Sequence, residues 1–146
     1  MGKVLQIGIA NTKGSKIQNV YQVEALKGKG LANDRNFSEE NQKECQITLV
    51  EIENINYYNK ISNTNLSPLD FRRNIVTENI KLNDLVGKEF FLGEVKIKAH
   101  DLCRPCKYLE KKLNKNNIIK QLLRKAGLRC EILTSGKIKV GDIIKS

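Results

Sequence analysis

The feature that most constrains the fold of this chain is a series of short segments in which apolar and polar residues alternate, separated by turns rich in Gly, Asn and Ser. Alternation with a period of two places side chains on opposite faces of an extended backbone and predicts half-buried β-strands. The predicted strands are residues 4–10, 20–26, 46–50, 71–77, 88–92, 95–99, 130–134 and 138–144. Helical spacing of apolar residues is confined to short segments, residues 51–61 and, in one or two pieces, 108–126.

The chain of 146 residues has the length of one domain, and no linker or repeat divides it. We therefore predict a single domain over residues 1–146, mainly β with a few short helices. Many short strands favour an antiparallel sheet curled into a barrel or a sandwich over alternating β-α units.

Composition sets the expected compartment and partners. No apolar run approaches a membrane span, and the N-terminus leads directly into a strand pattern, so we expect a cytoplasmic protein without a membrane partner. Thiols stay reduced there, so the 4 cysteines are expected to be free or reactive. The net charge of +10 raises the possibility of nucleic-acid binding, but the aromatic residues, 4 Tyr and 4 Phe, are few and scattered. We attribute the lysines to surface solvation and do not expect nucleic acid as a partner.

The segment most suited to chemistry contains Cys103 and Cys106, at a predicted junction between a strand and a helix. A cysteine at a helix start tends toward thiolate character, because the unpaired amides there favour negative charge. Cys106 follows Pro105, which suits a first helical turn, and Arg104 and Lys107 add positive potential. Such a thiolate can attack an electrophile, carry sulfur as a persulfide or bind a soft metal.

Other interpretations of the Cys103-x-x-Cys106 pair stay open. A zinc site would need two further ligands from Cys45, Cys130 and His100, none of which forms a second close pair. A redox dithiol would resemble the thioredoxin type, but it lies late in a β-rich chain. Cys103 alone is equally compatible with a buried structural role, and the single histidine is expected to be structural.

The arginines are more informative than the lysines. In a lysine-rich chain an arginine is expected where a planar fork of donors must bind phosphate or carboxylate. Arg72, Arg73 and Asn74 follow one another in an extended segment and could bind an anion. The arginines of the chain are Arg35, Arg72, Arg73, Arg104, Arg124 and Arg129.

Five segments, taken together, resemble the MOSC domain family, which is named for the C-terminal domain of molybdenum cofactor sulfurase. The resemblance extends from about residue 30 to the end of the chain, and it lies in the order of the segments. They are Gly30-Leu31-Ala32-Asn33-Asp34-Arg35, Phe71-Arg72-Arg73-Asn74-Ile75, Leu102-Cys103-Arg104-Pro105-Cys106-Lys107-Tyr108-Leu109-Glu110, Gly127-Leu128-Arg129 and Gly136-Lys137-Ile138-Lys139-Val140-Gly141-Asp142.

The resemblance implies an antiparallel, curled β-barrel of the MOSC type that handles molybdenum cofactor (molybdopterin) or its sulfur. The family's key cysteine falls on Cys106, implied as metal ligand or persulfide carrier. The cofactor-binding residues so implied are Arg35, Arg72, Arg73, Asn74 and Arg104. Pyridoxal phosphate is associated with this family, not with any residue here. Asn33 stands where the family usually has glycine, but Asn tolerates a left-handed backbone.

The hypothesis from the sequence is a MOSC domain that binds molybdenum cofactor, carries sulfur to a metal-sulfur centre through Cys106, or does both. Its expected partners are the cofactor or a protein of cofactor biosynthesis or an acceptor, with a separate cysteine desulfurase as the sulfur donor. The alternatives are a non-catalytic basic binding module for nucleic acid or protein, and a zinc or thiol-redox domain using the cysteine pair.

Overall fold

The computed structural model describes residues 2–103 and 125–146. Within these residues it contains one α-helix, α1 (Ile52–Ser62), and three 3-10 helices, Lys43–Cys45, Pro68–Phe71 and Leu82–Leu85. The strands, numbered in chain order, are β1 (Gly2–Ile9), β2 (Gln18–Val20), β3 (Gln22–Leu26), β4 (Gly30–Leu31), β5 (Ile47–Glu51), β6 (Ile75–Glu78), β7 (Glu89–Leu92), β8 (Val95–Leu102), β9 (Leu128–Ile132), β10 (Gly136–Lys139) and β11 (Ile143–Lys145).

Seven of the strands close into a barrel in the order β11-β7-β8-β9-β5-β6-β1, and β1 pairs again with β11. The predicted mainly β, curled barrel is therefore confirmed. The pairing is antiparallel except between β5 and β6, which are parallel. Helix α1 lies between these two strands in the chain, and its crossover returns the backbone to the same end of the sheet, as parallel pairing requires.

A second sheet of three strands, in the order β10-β3-β4, lies outside the barrel sequence. The prediction of one strand over residues 20–26 pairing with the first strand was wrong in this respect. The chain breaks at Tyr21, so that β2 pairs with β1 while β3 pairs with β10 and β4. The alternating pattern continues through Tyr21, so it could not indicate where the backbone changes partner.

Alternation along the strands sorts side chains between two cores. On β9, Leu128, Cys130 and Ile132 are buried inside the barrel, while Arg129 and Glu131 face outward. A second core lies between the outer face of the barrel and α1. Its buried members are Val50, Ile55, Tyr58, Phe71, Val76, Cys103 and Ala126.

A β-bulge at His100 changes which side of β8 faces outward. The pairing with β9 runs Ala99 to Cys130 and then Asp101 to Arg129, skipping His100. Such an extra residue bends the strand and redirects the side chains beyond it. Asp101 therefore lies opposite Arg129, and the imidazole of His100 lies 2.8 Å from a carboxylate oxygen of Glu131.

The structure corrects one further prediction and confirms another. The extended segment predicted over 71–77 begins as the 3-10 helix Pro68–Phe71 and becomes a strand only at Ile75, so the arginine pair precedes the strand. The helix predicted over 51–61 is confirmed as α1. Most of the helical segment predicted over 108–126 lies outside the described residues. Among the parts of the chain that are described, no helix is long and apolar enough to cross a bilayer.

Asn74 connects three strands through a fully buried side chain. Its Oδ1 accepts hydrogen bonds from the backbone N–H and the hydroxyl of Thr48 on β5, at 3.1 and 3.2 Å. Its Nδ2 donates to the carbonyl of Gly8 on β1 at 3.1 Å. This amide fixes the backbone that enters β6 immediately after the arginine pair.

We expect Asn74→Ala to lower the free energy of unfolding by roughly 2–4 kcal/mol, because it leaves the Thr48 N–H and the Gly8 carbonyl buried without partners. Chemical denaturation monitored by circular dichroism measures the change. Asn56→Ala, an exposed position on α1, is the matched control and should change stability by less than about 0.7 kcal/mol. Equal effects of the two substitutions would contradict the role assigned to Asn74.

Candidate functional site

The arginine pair is directed by a left-handed turn. The 3-10 helix Pro68–Phe71 starts with a capping box between Ser67 and Asp70 and ends at Arg72, whose φ is 61°. A non-glycine residue in this region is uncommon and costs about 1–2 kcal/mol, so it indicates that the surroundings hold the backbone there. The turn sends the two neighbouring side chains to different places, since Arg72 lines one cleft and Arg73 lines another.

Arg35 is joined to this turn by a hydrogen bond from Nη2 to the carbonyl of Arg72, at 2.8 Å. Its Nη1 lies 2.9 Å from Oδ1 of the buried Asp34, which also accepts from the backbone N–H of Ala10. Asn33, the residue before Asp34, has a φ of 65°, so Asn does adopt the left-handed backbone expected at this position. The loop between β4 and β5 is thereby attached to the arginine pair.

Arg35, Arg72 and Arg73 form a cationic cluster. Burial lowers the pKa of the Arg35 guanidinium; Asp34 opposes this, and the charges of Arg72 and Arg73 lower the pKa further. Among the described residues, the ion pair with Asp34 is made by Arg35 alone, while Asp70 lines the cleft with Arg72 and Asp101 lines the cleft with Arg73. Positive charge in a partly dry site favours an anionic ligand.

The Arg72 cleft, of about 530 Å³, has two buried polar atoms without hydrogen-bond partners among the described residues. Arg72 is 7% exposed, and its Nη2 is one of these atoms; Oε1 of Gln6 is the other. Lys16 also lines this cleft and adds a second positive charge, while Asp70 adds one negative charge. A buried guanidinium nitrogen without an acceptor is costly, and a bound oxyanion would satisfy it.

The Cys103 cleft, of about 430 Å³, lies on the outer face of the barrel. Adjacent strands bring its residues together, because Arg129 on β9 pairs with both Thr48 on β5 and Asp101 on β8. Arg73 enters from the turn, and its Nε donates to the carbonyl of Ala126 at 2.8 Å. The residues that line the cleft are Thr48, Arg73, Asp101, Cys103 and Arg129.

Cys103 is 4% exposed and sits where this cleft meets the second core. Burial raises the pKa of its thiol above the usual value; the charges of Arg73 and Arg129 oppose that rise, and Asp101 adds to it. Cys130, deep inside the barrel, has a pKa raised still further by burial. At neutral pH Cys103 is therefore a thiol close to two guanidinium groups.

The predicted site residues fall into three groups. Arg35, far from the arginine pair in sequence, contacts the backbone of Arg72, although the three arginine side chains line three different clefts. Asn74 lies beneath them, and its side chain is occupied by Thr48 and Gly8. Cys106 and Arg104 lie outside the described residues, so the predicted convergence on Cys106 stays a prediction.

Sequence reasoning did not select Thr48, Asp101 or Arg129, which line the cleft with Cys103. The bulge that aligns Asp101 with Arg129 has no signal in the alternation. The described residues contain no group of three or more His, Cys, Asp or Glu side chains able to hold a metal. A zinc site made of those residues alone is therefore not present.

The fold and its clefts define a small β-barrel domain with a cationic site beside a buried thiol. The sequence matches the MOSC domain family over residues 32–145, and the chain belongs to that family. No curated protein matches it.

Solved structures share the fold at low sequence identity. The YuaD protein from Bacillus subtilis superposes with a TM-score of 0.84 at 18% identity, covering 99% of this chain and 94% of that one. YiiM from Geobacillus stearothermophilus gives 0.79 at 15% identity, covering 99% and 74%, and YiiM from Escherichia coli gives 0.70 at 16% identity, covering 97% and 69%. At these identities the likeness establishes the architecture and not the activity.

The charges around Cys103 predict opposite effects on its alkylation at pH 8. Asp101→Asn removes a charge that raises the pKa of the Cys103 thiol and should speed labelling by iodoacetamide several-fold. Arg129→Gln removes a charge that favours the thiolate and should slow labelling by a similar factor. Mass spectrometry resolves the individual cysteines, with free N-acetylcysteine as reference and Cys130 as the unlabelled internal control. A change in the same direction in both variants would contradict this electrostatic account.

Proposed function

We propose that this MOSC domain binds molybdenum cofactor, with Cys106 as the thiolate that ligates the metal or carries sulfur to a metal-sulfur centre. The family is generally linked to this cofactor and to sulfur transfer. The observation that supports the assignment here is the buried Nη2 of Arg72, which lines a cleft and has no hydrogen-bond partner among the described residues. Arg35 is joined to the same residue through the Arg72 carbonyl. The cofactor has a phosphate and an anionic dithiolene, and an arginine with an unsatisfied donor suits either group.

Each residue of the proposed site is assigned a role according to its position. Arg72 is proposed to hold the cofactor's phosphate, with Lys16 adding charge at the cleft. Arg35 lines a neighbouring cleft and is proposed to support this anchor through its hydrogen bond to the Arg72 carbonyl. Arg73 extends the positive field from the Arg72 cleft toward Cys103. Asn74 contributes indirectly, because its hydrogen bonds to Thr48 and Gly8 fix the backbone that presents the pair. Arg104 is proposed to add charge next to Cys106.

Cys106 supplies a soft ligand or a nucleophile. When bound, the cofactor would supply a metal centre able to accept a thiolate ligand. In sulfur carriage the Cys106 thiolate attacks the outer sulfur of a persulfide on a cysteine desulfurase. A new S–S bond forms on Cys106 while the donor S–S bond breaks, and its electron pair leaves on the donor thiolate. No external oxidant or reductant is needed for this transfer.

Cys106→Ser tests the thiolate. We expect the molybdenum content, the pterin fluorescence or the cyanide-reactive sulfur of the freshly purified protein to fall by roughly tenfold or more, as loss of a ligand or its support commonly produces. Cys45→Ser, which changes a cysteine in a 3-10 helix away from the clefts, is the matched control and should load normally. The proposal would be contradicted if all three measurements gave the same value for the Cys106 variant and the unmodified protein.

Arg72→Gln tests the anchor. Loss of a charge-assisted hydrogen bond should weaken cofactor retention by roughly 10- to 100-fold, measured as pterin fluorescence left after gel filtration. Lys60→Gln, an exposed cation on α1, is the control for a general loss of positive charge. Equal retention in the Arg72 and Lys60 variants would remove Arg72 from the proposed anchor.

A further inference from the structure

The Cys103 cleft contains a second set of cationic groups that the cofactor assignment does not use. Arg129 lines it from β9 and is not part of the proposed cofactor anchor. Among the described residues, Arg73 belongs to both sets. The cleft therefore requires its own explanation.

Arg129 is only partly neutralised. Its Nη2 lies 3.6 Å from Oδ2 of Asp101, and both side chains are about half exposed, at 41% and 50%. An ion pair that is this long and this exposed contributes little. Its Nε, in contrast, is buried and has no hydrogen-bond partner among the described residues. One end of the guanidinium thus lacks an acceptor while the other has a weak one.

Arg73 is oriented from within the protein. The bond from Nε to the carbonyl of Ala126 holds the guanidinium through its inner nitrogen. Both Arg73 and Arg129 act electrostatically on the Cys103 sulfur, so their charges converge on one point of the cleft. Thr48 contributes a hydroxyl to the same wall.

The charges and donors match a compact, multiply charged ligand. Two guanidinium groups and one carboxylate leave a net positive charge beside a neutral thiol. A planar carboxylate can pair with one arginine fork, whereas a tetrahedral oxyanion offers acceptors in several directions and can contact two forks and a hydroxyl together.

We propose that the Cys103 cleft binds a tetrahedral oxyanion of the phosphate or sulfate type, held between Arg73 and Arg129 next to the Cys103 thiol. Asp101 competes with this ligand for Arg129, so its charge limits the affinity. The site is separate from the Arg72 cleft and does not depend on the cofactor assignment. A ligand bound here would be placed within reach of a thiol, which suits an anionic substrate or acceptor group.

Protection of Cys103 from iodoacetamide measures this binding without any activity assay. The native protein is labelled at constant ionic strength, adjusted with sodium chloride, with increasing inorganic phosphate in one series and inorganic sulfate in another. Sodium acetate is the planar carboxylate control. We expect saturable protection by phosphate or sulfate and none by acetate, and the two series show which tetrahedral anion is preferred.

Variants with opposite expected effects keep the test decisive. Arg129→Gln should weaken the protecting anion roughly tenfold, the equivalent of about 1.4 kcal/mol, and Asp101→Asn should strengthen it by a smaller factor. Lys137→Gln, an exposed cation on β10, should leave the half-protecting concentration unchanged. If Arg129→Gln fails to fold, Asp101→Asn alone tests the proposal. This near-isosteric change should increase the affinity for the protecting anion.

The proposal is overturned if neither anion protects Cys103 beyond the chloride control, if acetate protects equally, or if Asp101→Asn leaves the affinity unchanged. Cys106→Ser separates this proposal from the proposed function, since it should abolish cofactor or sulfur loading and leave protection by the oxyanion intact. Arg129→Gln should weaken protection by the oxyanion and leave cofactor or sulfur loading intact.

Discussion

The buried amide of Asn74 is the interaction on which the rest of the site depends. It joins β1 and β5 to the start of β6, through the N–H and hydroxyl of the half-buried Thr48 and the carbonyl of Gly8. The backbone N–H of Gly8 also donates to the Asn74 carbonyl at 2.7 Å, so both main chain and side chain hold this point. Two residues before it, Arg72 occupies a left-handed conformation that is unfavourable for a non-glycine residue. The fixed strand entry on one side and the capped 3-10 helix on the other keep it there.

Much of the fold was predictable, because burial on one face of a strand imposes a period of two that the sequence must show. The strands around residues 4–10, 46–50, 88–92 and 95–99 followed from this pattern, as did α1 from its helical spacing. The break at Tyr21 and the parallel β5–β6 pair did not, since alternation reports which face is buried and not which strand lies alongside. The left-handed Asn33 was predictable because few other residues tolerate that backbone.

The proximity of the arginines was easier to predict than the clefts they line, and their role as a binding site stays a prediction. The scarcity of arginine against lysine indicated positions where a planar guanidinium is needed, and Arg35 does contact the backbone of Arg72. The Cys103 cleft could not be predicted from the sequence, because it depends on the register of β8 against β9. Arg129 meets Asp101 only because the bulge at His100 shifts β8 by one residue, and a shift of one residue exchanges the faces of a strand.

The turn at Arg72 also explains how one short segment places arginines in two clefts. In an extended strand, neighbouring side chains point to opposite faces, and one of the two arginines would enter the apolar interior of the barrel. The left-handed residue avoids this by placing both outside that interior, with Arg72 in one cleft and Arg73 in another. Glycine would adopt the same backbone with less strain but would supply no guanidinium. The strain at Arg72 is therefore the cost of keeping two adjacent cations in two separate clefts.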